Sequence, residues 1–298
     1  MYWNSLNDRL REQYGTKVYK LALSSGCSCP NRDGTLGTRG CIFCDGAGAF
    51  AAAGDIDTQL IEAKARVAAK VGAGAKYIAY FQSFTNTYGP VERLRELYLA
   101  AIRPEDVVAL SIATRPDCLG PEVLELLEEL NRKKPVWVEL GLQTIYPESA
   151  AYIRRGYDLP VYEEAVRNLK ALGITVIAHQ ILGLPGETVD IMAETAQYIG
   201  QSGADGVKFH LLHGLRGPDL AADWEAGCFE TMSLEAYIEV LEECVRRIPR
   251  EMVIHRLTGD GAKRDLLAPL WSGDKKRVLN AIRSAFLRDD VEQGSALL

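Results

Sequence analysis

The sequence predicts an α/β fold, a partial barrel of parallel strands and helices. Two observations carry that expectation. Short β-branched or aromatic runs alternate with amphipathic segments along most of the 298 residues, and polar residues gather where each apolar run ends. No Pro-, Gly- or Ser-rich linker, long repeat or low-complexity run breaks the alternation, so one domain accounts for the pattern.

The strand-like runs are "KVYKLAL" (17–23), "KYIAYFQ" (76–82), "VVALSIAT" (107–114), "VWVELGLQT" (136–144), "GITVIAHQILG" (173–183), "GVKFHLLH" (206–213) and "EMVIHRL" (251–257). Between them, "PVERLRELYLAAI" (90–102), "GPEVLELLEELNRK" (120–133), "PVYEEAVRNLKAL" (160–172) and "TVDIMAETAQYIGQ" (188–201) have helical spacing, with a further helix near 233–247. Pro or Gly near several of their starts supports these boundaries. Six or seven βα units follow, and a parallel barrel, incompletely closed, is the economical arrangement. The expected division is an N-terminal extension (1–16), a core barrel (17–257) and a C-terminal segment (258–298) whose basic helix, "DKKRVLNAIRSAFLR" (274–288), packs on the core.

The chain is 47% hydrophobic and 25% charged, and no apolar run is long enough to span a bilayer, so a membrane partner is not expected. The N-terminus "MYWNSLNDRLREQYG" lacks a secretory pattern, which predicts a cytoplasmic protein. A formal net charge of −6 gives no whole-chain attraction to polyanions; nucleic-acid binding would need local patches.

Four of seven cysteines fall in "GCSCPNRDGTLGTRGCIFCDGAG" (26–48), directly after the first strand. In a reducing compartment such a cluster reads as metal ligands rather than disulfides. Its place, at the face where the other polar strand ends meet, argues for an active-site group. The spacing is Cys27-x-Cys29, eleven residues, then Cys41-x-x-Cys44. Four thiolates would close a zinc site or saturate a cluster, whereas three would leave one iron open.

The stretch "CPNRDGTLGTRGCIFC" resembles the cluster loop of radical S-adenosylmethionine enzymes of the YhcC type, whose Cys-x11-Cys-x2-Cys spacing matches Cys29, Cys41 and Cys44. The resemblance continues through "YFQSFTNTYGPVE" (80–92), "LSIATRPDCL" (110–119), "VELGLQT" (138–144), "VKFHLLHGLRGPDLA" (207–221) and "HRLTGDGAKRDLLAPLW" (255–271). It implies a (β/α)6 TIM-like partial barrel and a [4Fe–4S] cluster held by Cys29, Cys41 and Cys44, with Cys27 outside the motif. It also implies S-adenosylmethionine, cleaved reductively to a 5′-deoxyadenosyl radical that abstracts hydrogen from substrate. A reductase, or a flavodoxin- or ferredoxin-type protein, would supply the electron. A non-catalytic zinc scaffold built on all four cysteines is the competing reading.

Further roles come from the same resemblance. Phe43 would lie near adenine, or plug the loop into the core. Where many relatives carry Gly-Gly-Glu at the second strand end, this chain has "FQSFTN", and Gln82 or Ser83 would substitute. Thr114 and Arg115 follow the third strand; Arg115 would meet a carboxylate of cofactor or substrate, or pair with Asp117. Gln143 and Arg155, from "GLQT" and "YIRRGYD" (152–158), would hold the methionine or ribose moiety, as in the Elongator radical domain and oxygen-independent coproporphyrinogen oxidase. His179, with Gln180, would contact adenine.

The residues themselves suggest more. Glu139 is costly to bury alone, which marks it as a catalytic candidate with His210 and His213, two imidazoles at a strand end beside Lys208 and Arg216. His255, Arg256 and Asp260 cluster around a glycine turn, and Cys118, Cys228 and Cys244 read as ordinary thiols. For substrate, the Elongator relationship points to transfer RNA and its wobble uridine, and a small metabolite is the alternative. No acetyltransferase segment follows the barrel, so acyl transfer is not expected. Basic runs at 131–134, 154–155, 246–250, 262–264 and 274–277 could track phosphates or be solvated helix ends.

Overall fold

The structure, a computed structural model, describes residues 3–45, 51, 53–72, 74–259 and 263–297. The chain opens with α1 (Leu6–Tyr14), capped by the Ser5 hydroxyl, which accepts from the Asp8 amide, an arrangement that satisfies an otherwise orphaned donor. Then come β1 (Val18–Leu23), α2 (Ile56–Val67), β2 (Lys76–Phe81), α3 (Val91–Ile102), β3 (Val107–Thr114), α4 (Pro121–Asn131) and β4 (Val136–Gln143). The second half has α5 (Pro147–Tyr152), α6 (Leu159–Ala171), β5 (Thr175–Leu182), α7 (Val189–Gln201), β6 (Gly206–Leu211), β7 (Gly214–Leu215) and α8 (Leu220–Glu225). It ends with α9 (Leu234–Arg246), β8 (Val253–Arg256), β9 (Leu266–Ala268) and α10 (Lys275–Arg288).

Seven strands form one all-parallel sheet in the order β1-β2-β3-β4-β5-β6-β8. All seven of the expected strand runs are present, the last of them, 253–256, pairing with β6. The sheet curls far enough that Lys20 on β1 meets Glu139 on β4, and Lys208 on β6 meets Tyr80 on β2. Its edges, β1 and β8, do not pair with each other, which makes a half-barrel with an open seam. Short β7 and β9 form a separate antiparallel pair.

The period-two alternation of strands sorts side chains into two environments. The outer face, with Leu21, Leu23, Phe81, Leu110, Ile112, Val138 and Leu140, packs under the helices as the main core. The inner face begins, at the N-terminal end of the strands, with an apolar plug of Ile78, Ala109, Trp137 and Ile177 closed by Leu10 of α1. Above the plug the interior turns polar, with Lys20, Tyr80, Ser111, Glu139, His179 and Lys208.

The segment expected as an extension thus carries a structural element: α1 lies at the seam, where the Ile254 amide donates to the Asn4 carbonyl at 2.8 Å and Ser5 bridges Ile254. Helices α1, α2, α5 and α8 and the β7/β9 pair were not anticipated; most are short or rich in polar and small residues, so their apolar period is weak. Helix α10 packs on the core, burying Val278, Ile282, Ala285 and Phe286, the last edge-on to Trp3. Among the described residues no helix is long and apolar enough to cross a membrane.

Leu10 is the only buried residue of α1, so the hold of this helix on the barrel base rests largely on one side chain. Leu10→Ala should lower the unfolding free energy by about 2–5 kcal/mol, read from urea titration; an unchanged midpoint would mean that α1 is dispensable to the plug.

Candidate active site

The loop after β1 has little regular structure from Ser24 to Asp45, and hydrogen bonds fix it instead. The Arg32 and Asp33 amides donate to the Cys29 carbonyl, the Gly40 amide to the Asn31 carbonyl, and the Cys44 amide to the Cys41 carbonyl. Buried Asn31 ties the loop to the barrel: its side-chain amide donates to the Arg154 carbonyl at 2.7 Å and to Cys41 Sγ at 3.4 Å. Arg32 donates to the Cys44 carbonyl at 2.6 Å and lies over the Phe84 ring. Gly40 has φ +74, a left-handed backbone that favours glycine, and a Cβ there would push on the Arg32 guanidinium 2.8 Å away. Sequence reasoning missed Asn31 and Arg32; the only signal was their place inside the cysteine motif.

Cys29, Cys41 and Cys44 line one cavity with Phe43, Phe84, Thr85, Thr114, Arg115, Glu139, Gln143, Arg155, Tyr157 and His179. Cys27, two residues before Cys29, is not on that wall; its sulfur accepts from Arg93 at 3.7 Å, near Gly89. Burial pushes the Cys41 thiol up to about 11, so ligation to a metal would have to displace its proton. Among the described residues, no group of three or more His, Cys, Asp or Glu is gathered so as to hold a single metal ion. Thr85 Oγ1 is buried on the cavity wall without a hydrogen-bond partner, an acceptor or donor left for a ligand. Three thiols on one wall, the fourth turned away and an unpartnered hydroxyl beside them fit an iron–sulfur cluster with an attached small molecule.

Most residues expected at the site converge there; Gln82, Ser83 and Gln180 do not. Gln82 faces a separate cavity at the seam, and Ser83 offers its carbonyl to the Asn86 side chain. The chain turns at Phe84, in the left-handed region at φ 60, and this turn presents Phe84 and Thr85 to the cysteine cavity instead. Arg115 lines the cavity but its guanidinium is engaged, pairing with Asp117 through two nitrogens and donating to the Arg155 carbonyl. Arg155 is buried, donating to the carbonyls of Leu142, Thr144 and Tyr157, with its guanidinium 4.6 Å from the Tyr157 ring centre. Thr114 bonds the Thr87 hydroxyl. Gln143 interrupts the β4–β5 register with φ 70. With Phe84 and Arg154 it is one of three left-handed non-glycine residues at this site, where such strain is characteristically stored.

Glu139 organises the interior. Its Oε1 accepts from Lys20 at 2.9 Å and Ser111 at 2.6 Å; its Oε2 accepts from His179 Nε2 at 2.8 Å and from Lys208. Burial alone would raise this carboxyl, but Lys20 and Lys208 hold it well below the ordinary carboxylate range. Burial lowers His179 to about 4 against the upward pull of Glu139. The ring is therefore neutral near pH 7, donates through Nε2–H and keeps Nδ1 as its acceptor. Burial also lowers Lys208.

A second cavity adjoins the first through Phe43, Gln143 and His179, and holds His210, His213, Arg256 and Gly259. His210 lies 5.0 Å from His179, ring to ring, and its Nε2 is buried without a partner. A Cβ at Gly259 would collide with the His213 ring. Gln180, by contrast, points away from the barrel to the Met192 carbonyl. Arg216 is exposed, and Asp260 lies outside the described residues. Cys118 is half-buried, Cys228 exposed and Cys244 buried.

The family model described as Radical SAM superfamily matches residues 34–199, and a Radical SAM C-terminal domain matches 204–288. The uncharacterized protein YtqA of Bacillus subtilis is 45% identical over 94% of this chain and 88% of its own length. Protein YhcC of Escherichia coli is 38% identical over 99% and 95%. A tRNA uridine(34) acetyltransferase of Methanocaldococcus jannaschii shares 28% identity over 51% of this chain, which spans only 28% of that protein. Among solved structures, Elp3 of Methanocaldococcus infernus superposes with a TM-score of 0.72 at 19% identity, covering 93% of this chain and 64% of that one, a likeness of fold.

The buried imidazole makes stability depend on pH. Between its unfolded value of about 6.5 and its folded value of about 4, the unfolded chain binds a proton on His179 that the folded chain excludes. Stability therefore falls as pH drops through that window. Burial displaces His210 and His255 in the same direction. The urea midpoint should fall from pH 7 to pH 4.5, and less steeply in His179→Gln; identical slopes would show that His179 titrates alike folded and unfolded.

Proposed function

The chain belongs to the radical SAM superfamily, and from that membership we propose that it is an enzyme holding a [4Fe–4S] cluster on Cys29, Cys41 and Cys44, with S-adenosylmethionine in the adjoining cavity. The observation that carries the reading is the meeting of these three thiols on the wall of one cavity at the strand ends, with Cys27 drawn to Arg93. Bound and reduced, such a cluster supplies the electron that cleaves the sulfonium C–S bond of S-adenosylmethionine.

The chain's own residues position and shield. Asn31 donates to the Cys41 sulfur and so orients that ligand. The Thr85 hydroxyl suits the amine or carboxylate of the methionine moiety. Phe43 and Ile153, which share the cavity wall, exclude water. His179, neutral and anchored by Glu139, presents an acceptor beside Phe43, where an exocyclic amine could donate. Arg115 and Arg155 act as braces, since carbonyls and Asp117 occupy their donors.

Anaerobically purified protein should contain about four irons per chain and form 5′-deoxyadenosine from S-adenosylmethionine with dithionite. Cys29→Ala, Cys41→Ala and Cys44→Ala should each abolish both, while Cys27→Ala should keep the iron. Bound zinc with no cleavage, or iron lost in Cys27→Ala, would overturn the ligand assignment.

For substrate, transfer RNA has support in the partial likeness to the tRNA uridine(34) acetyltransferase. Several of the basic runs are spent on ion pairs: Arg132 with Glu128, Arg246 with Glu243, Arg250 with Glu292 and Arg154 with Asp219. RNA contact would then involve other exposed cations such as Lys133, Arg216, Lys263, Lys276 and Arg277. Transfer RNA should bind, and lose at least tenfold in affinity between 50 and 200 mM salt, as a few phosphate contacts require. Absent or salt-insensitive binding would leave a small metabolite as substrate.

A further inference from the structure

Arg32, Arg115 and Arg155 all line the cysteine cavity, and the roles given so far use only the last two. Arg115 pairs with Asp117 through two nitrogens, and Arg155 spends its donors on carbonyls around the end of β4. Arg32 stands inside the cysteine loop, between Cys29 and Cys41, on the same wall as the three thiols. Its guanidinium donates to the Cys44 carbonyl at 2.6 Å. Among the described residues no carboxylate pairs with it.

The guanidinium is held from two sides. The Phe84 ring, carried on the left-handed turn at φ 60, has its centre 5.4 Å from the guanidinium carbon. Gly40 lies against it, where a Cβ would stand 2.8 Å away. These contacts fix the charge beside the sulfurs rather than out in water. Partial burial opposes that charge, but the hydrogen bond to Cys44 and the neighbouring Cys44, Cys29 and Cys41 side chains raise the guanidinium above its ordinary value. It is therefore cationic at any working pH. Arg115 also acts on Cys29 and Cys41, but with Asp117 bound to it.

A cluster on these thiols gains one negative charge when it takes up one electron. A fixed cation beside it stabilises the reduced form more than the oxidised form, and net charge is one of the levers that set such potentials. We propose that Arg32 raises the reduction potential of the cluster held by Cys29, Cys41 and Cys44. It thereby eases the passage of one electron from an external reductant, which is oxidised as [4Fe–4S]2+ becomes [4Fe–4S]+. Arg32 is in this sense a positioning residue: it acts through the cluster by placing a charge. The proposal rests on the cluster reading above and adds to it a residue that the cysteine spacing does not name.

The test is an anaerobic redox titration of the iron-loaded full chain with dithionite, without S-adenosylmethionine, followed by electron paramagnetic resonance. Arg32→Gln should retain the iron and lower the midpoint potential by about 59 mV or more, a tenfold loss in the one-electron equilibrium. Arg32→Lys keeps the charge but loses the planar fork and its stacking, and should recover most of that shift. Phe84→Leu releases the guanidinium from the ring without altering the loop, and should move the potential the same way by less. That variant decides the matter if Arg32→Gln holds no iron. An unchanged potential in the deciding variant, or equal shifts in Arg32→Gln and Arg32→Lys, would overturn the charge role and leave the cluster reading standing. Parent protein that takes up no iron would overturn both.

Discussion

The Glu139 carboxylate sits on β4, 1% exposed, and takes hydrogen bonds from β1, β3, β5 and β6 through Lys20, Ser111, His179 and Lys208. Barrel interiors usually stack branched aliphatic side chains in layers. Here only the lowest layer, around Ile78, Trp137 and Ile177, keeps that character. A buried ion pair is weak evidence for stability, since desolvation offsets most of the attraction. Its effect is on arrangement: one acceptor with four filled positions fixes the tautomer of His179, the reach of two lysines and the curl that brings β1 and β6 to β4. Losing the carboxylate would leave two ammonium groups in the interior with no counter-charge, a change of about 3–5 kcal/mol in similar cases.

The cysteine loop depends on that barrel at two points. Asn31 clasps the carbonyl of Arg154, a residue in the left-handed region at φ 57, and the Ile42 amide reaches the Ile153 carbonyl. The same short stretch delivers Arg155 to the carbonyls at the end of β4, where Gln143 breaks the register. The strand end, the α5 turn and the loop are therefore one mechanical unit. A loop of some twenty residues with little regular structure can hold three thiols in place because its backbone bonds close within the loop, while the Asn31 side chain and the Ile42 amide tie it to this rigid base.

Strands with uniform apolar character were legible to within a residue or two, as β3 at 107–114 shows, because a sheet covered on its outer face demands nearly continuous hydrophobicity there. Helices α3, α4, α6, α7 and α9 were legible for the matching reason, an apolar stripe at helical spacing. Helix α1 was not, since a single buried leucine in nine residues leaves no stripe to read. At the site, spacing alone left three or four thiols open, and only the resemblance to the radical SAM cluster loop set Cys27 apart from Cys29, Cys41 and Cys44; the alternation of β4 placed Glu139 and Gln143 together. The exchange of Gln82 and Ser83 for Phe84 and Thr85 could not be read, because it follows from a backbone turn at a phenylalanine, a bulky residue that rarely adopts φ above zero. The pairing of Arg115 with Asp117 was one of the two readings its neighbourhood offered, but the engagement of Arg115 and Arg155 by carbonyls was hidden, since sequence carries no sign of which distant carbonyls a guanidinium will meet.

The saturation of Glu139 bears on where proton chemistry could occur. A carboxylate with both oxygens doubly occupied, and held below its ordinary range by two lysines, has neither a free lone pair nor the affinity to take a proton from a substrate near neutral pH. That geometry suits a positioning group, whereas its burial in the sequence pattern had singled it out as a catalytic candidate. His179 spends its one N–H on that carboxylate and can only accept. His210 stands differently: its ring faces His179, its Nε2 has no partner, and it lines the space between the cysteine cavity and the seam. Of the three candidates Glu139, His210 and His213, the geometry thus moves weight from the strand that anchors the barrel to the strand that borders the histidine cavity.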